Sequence, residues 1–162
     1  MILQHTGVRT RRLPALALVA AVAFAADQAT KALALLWLEP GAPRPVFPGL
    51  NLTLGFNTGA SFGVFSQAML GRPEAMAVAT GLVALFVAVL AVRARHGGEA
   101  AGYAVIVGGA AGNIWDRIRQ GAVTDFIDVY WRTWHWPTFN VADIAIFCGV
   151  ATVLACQARR GG

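Results

Sequence analysis

The chain has 162 residues, of which 57% are hydrophobic and only 13% are charged, and its formal net charge is +5. Soluble domains carry roughly 25% charged residues, so this composition argues against a soluble protein and favours a polytopic membrane protein. The arginines lie at the ends of long apolar runs, where they orient a chain in a membrane, and we therefore expect no nucleic-acid partner. No His or Cys cluster has the spacing of a zinc site, and the length suits a single domain over residues 1–162.

Four apolar runs predict four transmembrane helices, at about residues 13–38, 75–92, 100–118 and 141–158. A helix of about 20 apolar residues is long enough to cross a bilayer. The first run begins like a signal peptide, but apolar sequence continues to Leu38, so we interpret it as a retained helix. Four spans place both termini on one side of the membrane, and the distribution of arginines favours the cytoplasm for that side.

The two outer loops, at 39–74 and 119–140, are predicted to add a small extracytoplasmic β element to this all-α polytopic membrane protein. Residues 50–57 alternate between apolar and polar side chains, which is typical of a strand with one apolar face. We expect this strand to pair with the β-prone run at 123–130 and to rest its apolar face on the membrane surface. Residues 59–63 are rich in glycine and are the natural candidate for a moving flap. A belt of tryptophans is expected at the outer membrane interface, and its members are Trp37, Trp115, Trp131, Trp134 and Trp136.

Two pairs of residues within the helices predict how the helices pack. Asp27 and Lys31 lie four residues apart, hence on one helix face, and are expected to form an ion pair that locks the packing. Lys31, nearer the outer end, can also serve as a substrate contact. Gly108 and Gly112 provide a face of small residues that permits close approach of another helix.

Four aspartates are brought to one interface by this topology, and they are Asp116, Asp125, Asp128 and Asp143. Two carboxylates held about 3 Å apart share one proton, because both cannot ionise comfortably. The ionised member can activate a water while the protonated member polarises a carbonyl group, which hydrolyses an amide without a metal or cofactor. The sequence therefore predicts an acid–base site at the outer ends of the helices.

The residues alone do not select the reactive pair of aspartates. Asp143 opens the last helix three residues after Asn140, so it also fits a helix-capping box. Asp116 is followed by an arginine and can be explained as the partner of such a cation. Asp125 lies in a β-prone run, where no capping role explains a carboxylate, and Asp128 is interpreted as a solvated loop charge. Asp143 can therefore pair with either Asp116 or Asp125.

Five short motifs follow one another along nearly the whole chain. They are Asp27-Gln28-x-x-Lys31, Asn57-x-Gly59-Ala60-Ser61-Phe62-Gly63, Gly108-Gly109-Ala110-x-Gly112-Asn113-x-x-Asp116-Arg117, Val123-Thr124-Asp125-Phe126 and Phe139-Asn140-x-Ala142-Asp143. In this order they resemble the motifs of the lipoprotein signal peptidases, the signal peptidase II family of bacterial aspartyl proteases. Two positions depart from the family's pattern, since Ser61 stands where alanine is usual and Thr124 where valine is usual. Neither departure removes a carboxylate.

The resemblance implies a membrane aspartyl endopeptidase that removes the signal peptide from prolipoproteins and cleaves before their diacylglyceryl-modified cysteine. It implies that Asp125 and Asp143 are the catalytic pair. The substrate-binding residues implied in the same way are Asn57, Gly59, Asn113, Arg117 and Asn140, and the supporting residues are Asp27, Lys31 and Asp116.

The resemblance also implies the setting in which the protein works. No cofactor is implied, and the expected partners are lipid-modified prolipoproteins, membrane lipid and globomycin-like inhibitors. We expect a monomer in the bacterial inner membrane, with the active site near the outer face. The alternatives are a transporter, which predicts polar residues through the depth of several helices, and a non-catalytic scaffold. The run at 75–92 has no such residues, and Asp125 has no role in a scaffold whose acids only cap and pair.

Overall fold

Four helices form the body of the structure, a computed structural model that describes residues 4–59 and 73–161. They are α1 (Gln4–Trp37), α2 (Pro73–Arg93), α3 (Gly97–Gln120) and α4 (Val141–Gly161). Each of the four apolar runs in the sequence corresponds to one of these helices. The expected flap at 59–63 lies outside the described residues, apart from Gly59.

Three of the four helices are long and apolar enough to cross a membrane, over Arg12–Trp37, Glu74–Arg93 and Val141–Arg160. α3 is not among these candidate spans, and its last turns carry the polar side chains of Asn113, Asp116, Arg117 and Arg119. The span predicted at 100–118 is therefore not confirmed. α3 instead lies at the centre of the helix bundle, in contact with α1, α2 and α4, where Asn113, Asp116 and Arg117 find partners within the protein.

Glycines allow α3 to pack closely against its two neighbours α1 and α4. A side chain at Gly108 would collide with the backbone of α1, and a side chain at Gly109 would collide with the backbone of α4. Gly112 lies directly against the carboxylate of Asp27. The close-packing face predicted from Gly108 and Gly112 is thus confirmed, and it brings the acid of α1 beside α3.

The two loops form a four-stranded antiparallel sheet in the order β1-β2-β3-β4. The strands are β1 (Arg44–Phe47), β2 (Leu50–Asn57), β3 (Val123–Trp131) and β4 (Trp134–His135). The predicted strand at 50–57 and its pairing with the run at 123–130 are confirmed. Gly55 lies opposite Asp125, and Asn57 lies opposite Val123. Because alternate residues of a strand point to the same face, Asn57 and Asp125 share one face of the sheet.

The apolar face of β2 packs into the protein instead of resting wholly on the membrane surface. The alternation in the sequence assigns Leu50, Leu52, Leu54 and Phe56 to that face, but the strand has a register shift between Leu52 and Gly55. Leu54 is buried in a core cluster with Phe126 and the outer end of α1, and Leu52 packs against this cluster. The membrane-surface prediction is therefore wrong for Leu54, because α1 offers it an apolar protein surface. Phe56, by contrast, is exposed.

The tryptophans expected at the membrane interface are all exposed. Trp37 ends α1, Trp115 lies near the end of α3, and the other three follow in β3, in β4 and just after β4. An aromatic belt requires side chains that are available to lipid headgroups, and these positions fit that requirement.

Candidate active site

Asp27, Lys31 and Asp116 form a buried ionic cluster, the lysine cluster, between α1 and α3. The ammonium of Lys31 lies 2.8 Å from the carboxylate of Asp27 and 2.9 Å from that of Asp116. All three residues are at most 5% exposed. The predicted ion pair between Asp27 and Lys31 is confirmed. The cationic partner of Asp116 is Lys31, which corrects the explanation that its partner is an arginine.

Every carboxylate oxygen of the lysine cluster accepts at least one hydrogen bond. Gln28 Nε2 donates to Asp27 Oδ2 and to Asp116 Oδ1, each at 3.1 Å. The backbone N–H of Ala142 donates to Asp27 Oδ1 at 2.8 Å, and that of Thr124 donates to Asp116 Oδ2 at 3.0 Å. Buried carboxylates with this many partners are held in place and shielded from water. The role of Gln28 was missed from the sequence, although its position inside the first motif was an available signal.

A cavity of about 710 Å³ opens between α2, α3, α4 and the segment after β4. Its polar lining consists of Asn57, Asn113, Arg117, Asp125, Thr138 and Asp143. Asp116 is not part of this lining. The structure therefore brings Asp125 and Asp143 to one cavity and leaves Asp116 in the lysine cluster. We refer to Asp125 and Asp143 as the cavity pair.

Asp125 reaches the cavity from β3, although the residue is only 2% exposed. Asn140 Nδ2 donates to Asp125 Oδ1 at 2.6 Å. Burial and the neighbouring charge of Asp143 raise the pKa of Asp125 to about 6, and hydrogen bonds from Asn140 and Asn57 offset only part of that rise. A carboxyl group with this pKa can both hold and release a proton near neutral pH, as acid–base chemistry requires.

Asp143 lies in the first turn of α4, where it caps the helix and also reaches the cavity. Its N–H donates to Asn140 Oδ1 at 3.0 Å, and the N–H of Asn140 donates back to Asp143 Oδ2 at 3.2 Å. This is a reciprocal capping box. The other oxygen, Asp143 Oδ1, accepts from Asn113 Nδ2 at 2.9 Å. The capping explanation and the active-site explanation of Asp143 are therefore compatible in one side chain.

Two asparagines connect the lysine cluster to the cavity pair. Asn113 Oδ1 accepts from Lys31 Nζ at 2.9 Å and from Asn140 Nδ2 at 3.2 Å. Asn140 also bonds both acids of the cavity pair. Asn113 lines the cavity as expected, whereas Asn140 is fully buried behind the carboxylates. Asn140 thus does not lie on the cleft surface where a substrate contact was expected, because its amide is already used to hold Asp125 and Asp143.

The other expected substrate contacts, Asn57, Gly59 and Arg117, all line the cavity. Asn57 Oδ1 accepts from the N–H of Gly59 at 2.8 Å, and Gly59 has a φ of 95°, a conformation that favours glycine. Arg117 Nη1 donates to the carbonyl oxygen of Asn113 at 3.2 Å. Its Nε is buried and has no hydrogen-bond partner among the described residues. A buried donor without a partner carries an energetic cost.

Most of the cavity wall is apolar, and this wall was not assigned a role from the sequence. α4 and the segment after β4 supply Ile144, Ile146, Phe147, Val150, Trp136, Pro137 and Phe139. The spacing of Asp143, Phe147 and Val150 places them on one helix face, which was the available signal. Phe147 is 74% exposed, so the cavity opens towards the outer, apolar side of α4.

Asp128 is a buried structural carboxylate, which corrects its interpretation as a solvated loop charge. It accepts hydrogen bonds from Asn51 Nδ2 and Thr53 Oγ1, each at 3.2 Å, and lies 2.7 Å from Nδ1 of His135. Burial alone would raise the pKa of Asp128, but these three hydrogen bonds outweigh burial and hold its pKa below the usual value. Asp128 therefore ties β2, β3 and β4 together, a role that depends on strand register.

The fold is similar to two solved bacterial membrane enzyme structures, determined by the in meso method at 1.9 Å and 2.3 Å resolution. The first aligns with a TM-score of 0.77 over 89% of this chain and 92% of that chain, and the second with a TM-score of 0.79 over 92% and 90%. Each is 25% identical in sequence. Together with the three apolar helices, these likenesses define the class as helical membrane enzymes.

Relatives in sequence narrow the class to a family. The model of the family described as signal peptidase (SPase) II matches residues 19–159. The lipoprotein signal peptidase of Serratia marcescens is 40% identical over 135 residues, which are 83% of this chain and 79% of that protein. That of Geobacter metallireducens is 43% identical over 136 residues, which are 83% of this chain and 84% of that protein. The chain belongs to the signal peptidase II family and is a peptidase, so the resemblance seen in its five motifs is confirmed. A transporter or a non-catalytic scaffold is not favoured.

Proposed function

We propose that the chain is a membrane aspartic endopeptidase that removes the signal peptide from diacylglyceryl-modified prolipoproteins, cleaving before the lipidated cysteine. Its relatives in Serratia and Geobacter are lipoprotein signal peptidases. The main structural support is that Asp125 and Asp143 line one cavity and are held by asparagine amides. Asp116, by contrast, lies outside that lining and is ion-paired to Lys31.

The two acids of the cavity pair divide the acid and base roles. Asp125, with a pKa raised to about 6, holds the shared proton and gives it to the scissile carbonyl oxygen. Ionised Asp143 takes a proton from a water molecule whose oxygen attacks the carbonyl carbon. As the C–N bond breaks, the carbonyl oxygen returns its proton to Asp125, and Asp143 gives its proton to the leaving amine. One water is consumed, and the products are a signal peptide with a free carboxyl group and a lipidated cysteine with a free amine.

The shape of the cavity supports a substrate that carries acyl chains. Phe147 and Val150 line the cavity and are also exposed on the outer side of α4. Acyl chains can therefore remain in lipid along this wall while the peptide reaches the carboxylates. Arg117 and Asn57 bind polar atoms of the substrate backbone. A globomycin-like cyclic peptide competes for the same cavity, since it combines backbone polar groups with apolar surface.

All four helices cross the bacterial inner membrane in this proposal, with both termini in the cytoplasm and the cavity near the outer face. α3 has 24 residues, and at 1.5 Å per residue its length of about 36 Å exceeds the bilayer core of about 30 Å. Both acids belong to one chain, so a monomer suffices. A cysteine introduced at Gly71, outside the described residues, should react with an impermeant reagent added outside the membrane. Labelling from the cytoplasm alone would reverse the orientation.

Cleavage of a diacylglyceryl-modified precursor by purified variants tests the catalytic assignment. Asp125→Asn and Asp143→Asn are each expected to lower kcat by roughly 10²–10⁴-fold while the protein remains folded. Asp116→Asn is the matched control, because it makes the same chemical change in the lysine cluster. It should reduce the yield of folded protein, while the folded fraction still cleaves. Normal cleavage by Asp125→Asn, together with a folded but inactive Asp116→Asn, would move the reactive pair to Asp116 and Asp143.

A further inference from the structure

The end of the helix bundle opposite the sheet holds a second cavity, which the peptidase reaction does not use. This cavity of about 250 Å³ is lined by Arg93, Arg95 and Arg160, together with Glu99, Tyr103 and Leu90. The lining comes from the end of α2, the start of α3 and the end of α4. Because α2 and α4 are candidate membrane spans, their ends lie at the level of lipid headgroups. We refer to this site as the basic cavity.

The positive charge of the chain is concentrated at this end. By position along the chain, the end opposite the sheet carries seven of the 13 Lys and Arg residues and one of the 8 acids, a net charge of +6. Its arginines are Arg9, Arg11, Arg12, Arg93, Arg95, Arg159 and Arg160. Among the described residues, the half that faces the sheet carries five cations and seven acids, a net charge of −2. The chain is therefore electrostatically polarised along the helix axes, and one end attracts anions.

The single acid at this end does not cancel the charge of the basic cavity. Arg160 Nη1 donates to Glu99 Oε2 at 2.9 Å, and Gln157 Nε2 donates to Glu99 Oε1 at 3.3 Å. Arg95 and Arg160 of the lining outnumber this one carboxylate. Arg12 of α1 adds a further cation, because its Nη1 donates to the backbone oxygen of Arg95 at 3.2 Å. Four helices thus contribute to one positively charged recess.

We propose that the basic cavity binds the phosphodiester group of an anionic membrane phospholipid. Guanidinium groups donate paired hydrogen bonds that match the oxygens of a phosphate. Tyr103 adds a hydroxyl donor to the lining, and Leu90 provides an apolar contact for the glycerol and the start of the acyl chains. Basic pockets between membrane helices are suited to lipid headgroups of this kind. A bound lipid bridges α2, α3 and α4, and it does not depend on which aspartates catalyse the reaction.

The test measures lipid selectivity of the full chain in nanodiscs of phosphatidylcholine. Trace spin-labelled phosphatidylglycerol or spin-labelled phosphatidylcholine is added, and the motionally restricted fraction of each is compared by electron paramagnetic resonance. We expect wild-type protein to prefer phosphatidylglycerol by about fivefold or more, the effect of roughly one interfacial arginine. Arg95→Gln/Arg160→Gln should reduce this preference to within about twofold of none, since it removes two of the interfacial charges.

Matched variants and competitors decide between the outcomes. Arg44→Gln/Arg119→Gln removes the same charge from exposed sites in the half that faces the sheet and should keep the preference. If this control lost the preference for phosphatidylglycerol to the same extent, net charge alone would explain the preference, and the proposal would be overturned. Unlabelled phosphatidylglycerol should displace the label, whereas displacement by inorganic phosphate at the same concentration would overturn the lipid assignment in favour of a soluble phosphate. Absence of any preference in the wild type overturns the proposal whether or not the variants fold.

Discussion

The lysine cluster and the cavity pair place the same type of side chain in two different settings. In the lysine cluster, Asp27 and Asp116 lie within 2.9 Å of the Lys31 ammonium and away from the cavity lining. In the cavity pair, Asp125 and Asp143 accept hydrogen bonds from neutral amides and line an open cavity. The partner in the lysine cluster is a cation, whereas in the cavity pair burial and the neighbouring charge raise the pKa of Asp125 despite the hydrogen bonds from the amides. A contacting cation and the absence of a place in the cavity lining therefore distinguish Asp27 and Asp116 from Asp125 and Asp143.

Removing the cation from the lysine cluster is expected to have the largest effect on stability. Lys31→Met keeps much of the side-chain volume but leaves two buried carboxylates without a counterion. We expect the free energy of unfolding to fall by about 3–5 kcal/mol, measured as a shift in the denaturation midpoint. Arg119→Met removes an exposed cation and should change stability by less than about 0.5 kcal/mol. Equal stability of Lys31→Met and the wild type would contradict the supporting role of the cluster.

Removing a charge from the cavity pair should instead stabilise the folded protein at alkaline pH. The pKa of Asp125 is raised from 3.8 to about 6 in the folded protein, so between these values the folded state keeps a proton that the unfolded state has released. Stability from this group therefore falls as pH rises through that window. At about pH 8, Asp125→Asn should be more stable than the wild type by on the order of 3 kcal/mol. Unfolding curves at about pH 4 should show almost no difference, and a gap that is independent of pH would exclude this cause.

The pH dependence of the cleavage rate should report the titration of the same proton on Asp125. If protonated Asp125 is the acid, kcat/KM falls about tenfold per pH unit above a midpoint near pH 6, because the raised pKa of Asp125 is about 6. Cleavage at about pH 8 should then be roughly 100-fold slower than at the plateau. The midpoint of kcat should lie higher, because a bound substrate excludes water and favours the neutral acid. A profile of kcat/KM that is flat from about pH 5 to about pH 8 would remove the acid role from Asp125.

The pair of Asp128 and His135 adds a carboxylate whose partner is half exposed to water. Removing this partner should have the smallest effect on stability. The side chain of His135 is 50% exposed and stacks on Tyr130, so solvent screens its interaction with the acid. His135→Phe keeps an aromatic ring but removes the hydrogen bond to Asp128. We expect a loss of about 1 kcal/mol or less in thermal unfolding and an unchanged kcat. A loss as large as that of Lys31→Met would mean that exposure does not weaken this pair.

The helices and the main strand pair were predictable because their signals are local. Apolar runs located α1, α2 and α4, and alternation over 50–57 located β2. The span at 100–118 was harder to judge, because α3 mixes apolar turns with the polar residues that face the site. The position of Leu54 was missed, because the apolar surface that covers it comes from α1 and is not visible in the sequence of the strand.

The polar lining of the cavity was predicted in large part from the sequence, whereas the contacts among its side chains were not. The aspartates were found from residue type and topology, yet the separation of Asp116 from Asp125 depends on Lys31, which is distant in the chain. Asp128 was misread because its partners Asn51 and Thr53 are set by strand register. The catalytic roles of the cavity pair stay predictions until the variants are assayed.

The side-chain amide of Asn113 has two chemically different ends, and its surroundings determine which end faces Asp143. Its oxygen accepts from Lys31 and from Asn140, so only its NH₂ group remains to face Asp143. The lysine therefore sets the polarity of a cavity wall that it does not itself line. Without that cation the amide could rotate by half a turn and present an oxygen to a carboxylate, which would repel it. The buried charge of α1 thus fixes the orientation of the amide that donates to Asp143, in addition to its part in holding the helices together.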